Sequence, residues 1–265
     1  MSKARLRGID LAYDDVGSGP AVVMLHGYPF NRSMWREQAE ALKANYRVIT
    51  PDLRGLGESG ATPEPATMEE MAEDVAALLN ELQIEHVALG GLSMGGYVAF
   101  AFYRRFQTRV RALILADTRP QADTEEGRRN RLSQAQKILK EGMQSIADDF
   151  LKKVLTPETI SQKPLITGRV REMILTTKPQ GAASALRGMA SRRDNTDVLS
   201  EIATPALIIV GSEDEITPPA DAELMHREIR GSRLRIIDGA SHLSNLEQPD
   251  QFNHAVKDFL EKISQ

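Results

Sequence analysis

The chain has 265 residues, 41% of them apolar and 26% charged, with a formal net charge of −4. These are the proportions of a soluble globular chain with a substantial core, and so mild a charge gives no ground for nucleic-acid binding. There is no cysteine, which excludes disulfides, thiolate catalysis and cysteine-ligated metals.

In chain order, residues 3–6 and 9–14 form a predicted hairpin turning at Gly8. Short β-rich runs then follow at 21–25, 46–50, 86–90, 112–115, 206–210 and 233–237, most closed by a turn such as His26-Gly27, Pro51-Asp52 or Ala116-Asp117. Runs this short, without polar alternation, suit parallel strands covered on both faces. Helices fit between them. Thr67 stands three residues before Glu70, a capping box that opens a helix with Met71, Val75, Leu78 and Leu82 on one face. Residues 94–107 continue as a helix, and a last one buries Phe252, Val256, Phe259, Leu260 and Ile263. This alternation predicts an α/β fold with a doubly wound, mostly parallel sheet.

Between Asp117 and Thr204 the strand signals stop, and 127–155 and 165–192 read as helices with breaks at Pro157, Pro164 and Pro179. The expected organisation is a core formed by 1–118 and 198–265, with an all-helical cap inserted at 119–197. That insert carries 15 Lys and Arg against 10 Asp and Glu, a net of +5 that leaves −9 on the remainder. Two readings stay open: solvated helix faces, or a positive lid over a site for an anionic substrate. The N-terminal residues lead into no apolar signal segment, and the longest apolar run, 97–103, is too short to span a bilayer. A cytoplasmic protein without membrane contact is expected.

The chemistry centres on Gly91-Leu92-Ser93-Met94-Gly95, with a buried-type strand leading in and a helix leading out. That is the setting of a nucleophile elbow, whose strained serine needs small neighbours; Gly91, Gly95 and Gly96 supply them. The Met94 N–H, at the new helix's N-terminus, can face a developing oxyanion. A second donor belongs after an earlier strand, in His26-Gly27-Tyr28-Pro29; Tyr28 is chosen because Pro29 has no N–H. His26 itself reads as a structural histidine. The base should follow the serine, and of His226, His242 and His254 only His242 sits in a small-residue loop after a strand, 238–242. Asp214, just past the strand at 206–210, is preferred as its acid over Asp117, which ends the strand at 112–115.

Taken together, His26-Gly27 with Trp35, the run from Pro51 to Ser59, the elbow, Gly211-Ser212-Glu213-Asp214 and Gly239-Ala240-Ser241-His242 resemble the α/β-hydrolase superfamily over essentially the whole chain. The resemblance implies a Ser93–His242–Asp214 triad with Tyr28 and Met94 as oxyanion donors. Within the superfamily the chain is similar to small cap-bearing esterases and the 3-oxoadipate enol-lactonase group, on Leu115-Ala116-Asp117-Thr118 and 181–194.

Competing motifs fall away. Gly55-Leu56-Gly57-Glu58-Ser59-Gly60 matches a dinucleotide-binding pattern literally, but Pro63 and Pro65 separate it from any helix, and the loop reads as one held by Asp52 and Arg54. No phosphate-binding loop or metal helix occurs, so neither cofactor nor metal is expected. Arg128-Arg129-Asn130-Arg131 has no aromatic interleaving, so nucleic acid is not an expected partner. The expected activity is cofactor-free hydrolysis of a small ester or lactone through an acyl-enzyme, with activity rising between about pH 6 and 7 as an imidazole base deprotonates. The alternatives are a small-molecule receptor with slow or single-turnover hydrolysis, and carbon–carbon bond hydrolysis or perhydrolysis. A carboxylate-bearing substrate would need a counter-charge; Arg187, Arg192 and Arg193 are equal candidates.

Overall fold

A computed structural model describes residues 2–62 and 65–263. Pro63, one of the two prolines that interrupt the dinucleotide-like pattern, lies outside them. The hairpin forms first, with β1 (Ser2–Leu6) and β2 (Ile9–Val16) antiparallel about Gly8, whose φ of 82° glycine adopts freely. Next come β3 (Ala21–Leu25), α1 (Arg36–Leu42) and β4 (Arg47–Pro51). The Thr67 capping box closes as expected over α2 (Met68–Glu81), with Thr67 accepting the Glu70 N–H and Glu70 accepting the Thr67 N–H. After it stand β5 (Val87–Leu92), α3 (Met94–Phe106) and β6 (Val110–Ala116).

Five helices separate β6 from the next strand: α4 (Glu125–Glu141), α5 (Gln144–Val154), α6 (Pro157–Gln162), α7 (Pro164–Thr176) and α8 (Pro179–Ala190). The chain then returns through β7 (Ala206–Gly211), α9 (Pro219–Glu228), β8 (Arg233–Ile237), α10 (Ser244–Glu247) and α11 (Pro249–Ile263). Strand order is β1-β2-β4-β3-β5-β6-β7-β8; β4 through β8 run parallel and the hairpin joins antiparallel at one edge. Helices cover both sides, α2 packing with α3 and α1 with α11. This is the doubly wound α/β sheet with a helical insert that the sequence predicts.

Two expectations shift in detail. The prolines that read as breaks sit in the first turns of α6, α7 and α8, where a missing N–H costs nothing because that donor has no intrahelical acceptor. The predicted helix over 127–155 divides instead at Gly142, whose φ of 77° ends α4 while its N–H bonds Ile138 O at 2.8 Å. The last strand is also not covered on both faces: β8 is the sheet edge, with Arg235 and Ile236 exposed and cationic side chains along it. Among the described residues no helix is long and apolar enough to cross a membrane.

Candidate active site

The carboxyl ends of β3, β5, β6 and β7 and the loop after β8 converge on one edge of the sheet, where open α/β folds place their ligands. Ser93 occupies the turn between the fully buried β5 and α3, with φ 53° and ψ −114°. For a residue with a Cβ this is a strained conformation, worth about 1–3 kcal/mol, which the surroundings must enforce. They do so through backbone bonds and close packing. Ser93 N–H donates to Ala116 O at 3.0 Å, and the Ser93 carbonyl accepts the Gly96 N–H at 2.9 Å and the Thr118 hydroxyl at 2.8 Å. A Cβ on Gly91 would overlap the Gly95 carbonyl, and one on Gly95 would overlap the Leu25 carbonyl. The glycines are required by contact as well as by the turn.

His242 Nε2 lies 2.8 Å from Ser93 Oγ, and its Nδ1 lies 2.8 Å from Asp214 Oδ2. The His242 imidazole is buried while Ser93 is half-buried. Asp214 is held in turn: Oδ1 accepts the N–H groups of Ile216 at 2.8 Å and Thr217 at 3.0 Å, and Oδ2 accepts the Thr217 hydroxyl at 2.7 Å. Burial pushes the Asp214 carboxyl up, but the His242 charge and these hydrogen bonds outweigh it and leave the group below the usual carboxylate range. An ionised Asp214 fixes the Nδ1–H tautomer, leaving Nε2 free to accept the serine proton.

Asp117, the rival acid, points elsewhere. It is fully buried, with Oδ1 accepting the Gly211 N–H at 2.9 Å and Oδ2 bonded to Ser244 Oγ at 2.5 Å. Burial first, then the charge of Asp214, raises its carboxyl well above the usual range. It is no simple turn residue: it stitches β6 to β7 and to α10. His26 is likewise structural. Its Nε2 accepts the Leu53 N–H at 2.9 Å, its Nδ1–H faces Gly27 O at 2.9 Å, and burial lowers its pKa.

The turn after β3 lies directly beside the serine. A Cβ on Gly27 would stand 3.5 Å from Ser93 Cβ. Among the described residues, neither the Tyr28 N–H nor the Met94 N–H donates to a protein acceptor. The Tyr28 side chain is buried edge-on against Phe150 of α5, ring centroids 6.1 Å apart, and its hydroxyl has no hydrogen-bond partner among the described residues. Burial raises the Tyr28 pKa, with the nearby Arg131 charge opposing, so the phenol remains a neutral donor.

Arg131, which in the sequence is only one member of the basic cluster 128–131, is set apart by its contacts. It bonds Asp123 through Nε at 2.5 Å, and Asp123 also pairs with Arg192 at 2.7 Å, so two guanidinium groups share one carboxylate. A groove of about 430 Å³ between α4 and α5 is lined by Arg131, Phe150, Lys153, Arg119 and Ile216. Arg187, Arg192 and Arg193 differ in their surroundings. Arg187 is exposed, and Arg193 is exposed and paired with Asp197. Arg192 is buried over the Tyr97 ring, 4.3 Å from its centroid. One signal for Arg131 was present: residues 131, 135 and 138 fall on one helical stripe, and Ala135 and Ile138 are the buried positions of α4. The dinucleotide-like loop is structural, with Asp52 Oδ1 accepting Arg32 N–H at 2.7 Å and Arg54 bonding Asp74 at 2.5 and 2.7 Å. No metal-binding cluster of side chains occurs among the described residues.

Residues 20–249 match the family profile described as the alpha/beta hydrolase fold. A 3-oxoadipate enol-lactonase of Acinetobacter baylyi is 31% identical over 245 residues, 92% of this chain and 90% of that protein. A thermophilic esterase from Thermogutta terrifontis, solved with malate bound, superposes with a TM-score of 0.96 at 42% identity, covering 99% of this chain and 97% of that one. The enol-lactonase from Burkholderia xenovorans LB400 superposes with a TM-score of 0.92 at 31% identity, covering 98% and 100%.

Proposed function

This chain belongs to the α/β-hydrolase fold family, and from that premise we propose that it is a serine hydrolase of small carboxylic esters or lactones. The observation that carries the reading is the hydrogen-bonded line from Ser93 through His242 to Asp214, 2.8 Å at each step, with two N–H groups beside the serine that have no acceptor among the described residues. In the proposed reaction His242 Nε2 takes the Ser93 proton as Oγ attacks the substrate carbonyl. The N–H groups of Tyr28 and Met94 hold the oxyanion, each contributing about 10² to 10³ in rate. Collapse of the tetrahedral adduct expels the alcohol or enol oxygen, protonated by His242. Water deprotonated by His242 then releases the acid and restores the serine. Residues 119–197 serve as the cap, closing over this edge from the β6 side.

The substrate class that fits is an ester or lactone bearing a carboxylate. The buried Tyr28 hydroxyl, without a hydrogen-bond partner among the described residues, feels the charge of Arg131, which lines a basic groove. A substrate carboxylate in this groove would face the Arg131 guanidinium, and the relatives named above as an enol-lactonase and a malate-bound esterase accord with it.

Ser93→Ala tests the chemistry. Turnover of a neutral aryl ester is expected to fall by roughly 10⁴-fold or more with the fold intact by circular dichroism. Near wild-type turnover in Ser93→Ala defeats the proposal.

A further inference from the structure

Glu247 closes α10, five residues beyond His242, and takes no direct part in the proposed reaction, yet the residue is only 1% exposed. Its two oxygens serve two parts of the chain. Oε1 accepts the Ser241 N–H at 2.7 Å, one peptide bond before His242. Oε2 accepts both the N–H and the hydroxyl of Thr156, at 2.8 and 3.0 Å. Thr156 is the N-cap of α6 and accepts the Thr159 N–H at 3.0 Å, so the acceptor of its hydroxyl also sets where α6 begins. The Glu247 carbonyl accepts Lys163 Nζ at 2.8 Å, a second tie to the residue that precedes α7.

Among the described residues no cation pairs with this carboxylate; three neutral donors compensate its burial. Such a group is costly to bury unless every lone pair is engaged, and so its geometry is tightly set. From the other side, Glu213 N–H bonds Ala240 O at 2.9 Å, and Gly211 packs so closely that a Cβ there would overlap the Ser241 carbonyl. The loop at 240–242 is thus clamped between β7 and Glu247.

We propose that Glu247 is a positioning residue that ties the seat of the helical insert to the loop bearing His242, so that the Ser93–His242 alignment depends on it. The inference rests on the serine-hydrolase reading above. Its physical content is simple: an amide in place of the carboxylate must present N–H groups to one of its two sets of donors. Either the Ser241 or the Thr156 connection then opens while side-chain volume is kept.

Glu247→Gln, with active sites counted by a fluorophosphonate that labels the nucleophile, reads the effect. The expected result is a folded protein whose kcat per active site falls about 10- to 100-fold, the scale of a displacement near 1 Å. KM for a neutral aryl ester stays within about threefold, as expected when alignment rather than substrate binding is lost. The second-order rate of fluorophosphonate labelling falls in parallel, a change that a loss of stability alone does not produce in the folded fraction. Wild-type kcat and labelling rate in folded Glu247→Gln overturn the proposal while leaving Ser93 in place. Should Glu247→Gln not fold, Thr156→Val deletes the hydroxyl donor to Glu247 together with the α6 N-cap acceptor, and keeps the Thr156 N–H. A smaller fall in kcat at constant KM supports the tie, and an unchanged kcat overturns it. Turnover retained in Ser93→Ala overturns the serine-hydrolase reading and this one with it.

Discussion

The two aspartates at the sheet edge show how one residue type divides its roles by environment. Asp214 is ionised by its contact with His242 and the Thr217 hydrogen bonds against the push of burial, whereas Asp117 has burial and a like charge raising it and no cation to oppose them. Asp214→Asn is therefore expected to lower kcat by about 10⁴-fold on an aryl ester, because the amide favours the wrong imidazole tautomer. Asp117→Asn, which can still accept from Gly211 and donate to Ser244, should keep kcat within about tenfold. The sign of the pH dependence follows from the raised carboxyl. Stability from Asp117 is present below its unfolded value and is lost as pH rises through the folded one. Thermal melts over a pH series should show Asp117→Asn gaining on the wild type as pH rises from about 4; a constant difference contradicts the assignment. That Ser93, His242 and Asp214 meet was legible because each lies in a turn or loop just after a strand. Arg131 and Glu247 were not, because helical position and a partner 91 residues away carry their significance.

Element boundaries were read best where a local rule acts alone. The Thr67 capping box fixed the start of α2, and strand–turn junctions fixed the sheet to within about two residues. Junctions inside the helical insert were harder, because proline both ends and begins helices, and Gly142 was the true break between α4 and α5. The seat of α8 depends on tertiary contact that no periodicity reports. A Cβ on Gly188 would overlap the Ala66 carbonyl and one on Gly181 the Gly55 carbonyl, while Ser184 Oγ accepts the Ala66 N–H at 2.9 Å. Gly188→Ala should therefore cost about 1–3 kcal/mol despite its better helix propensity, lowering Tm by about 2–4 °C per kcal/mol. Gly168→Ala on α7, where nothing lies within 4 Å, is the matched control and should be neutral or stabilising. Equal behaviour of the two variants contradicts tight seating of α8.

At the scale of the molecule, a net charge of −4 conceals a basic insert over an acidic core. The sum was visible in the sequence, but most of those cations are solvated or paired; the partly buried, shared arrangement of Arg131, Arg192 and Asp123 gives the asymmetry a location. Attraction of this kind is screened at a Debye length of about 8 Å near 0.15 M salt. Raising ionic strength from about 0.01 to 0.15 M should reduce kcat/KM for a carboxylated lactone and leave a neutral aryl ester unaffected. Arg131→Met should raise KM for the carboxylated substrate alone. Preference for the neutral ester, insensitive to salt and to Arg131→Met, contradicts the carboxylate assignment.

The proposed reaction turns on Ser93 Oγ as the atom that forms the covalent bond. The most direct measurement is peptide mapping after inactivation with a fluorophosphonate, with residual ester turnover followed in the same samples. A single adduct on the peptide containing Ser93 is expected, accumulating in proportion to lost turnover and absent from Ser93→Ala. Full activity in protein stoichiometrically labelled at Ser93, or inactivation with the adduct elsewhere, contradicts the proposed reaction.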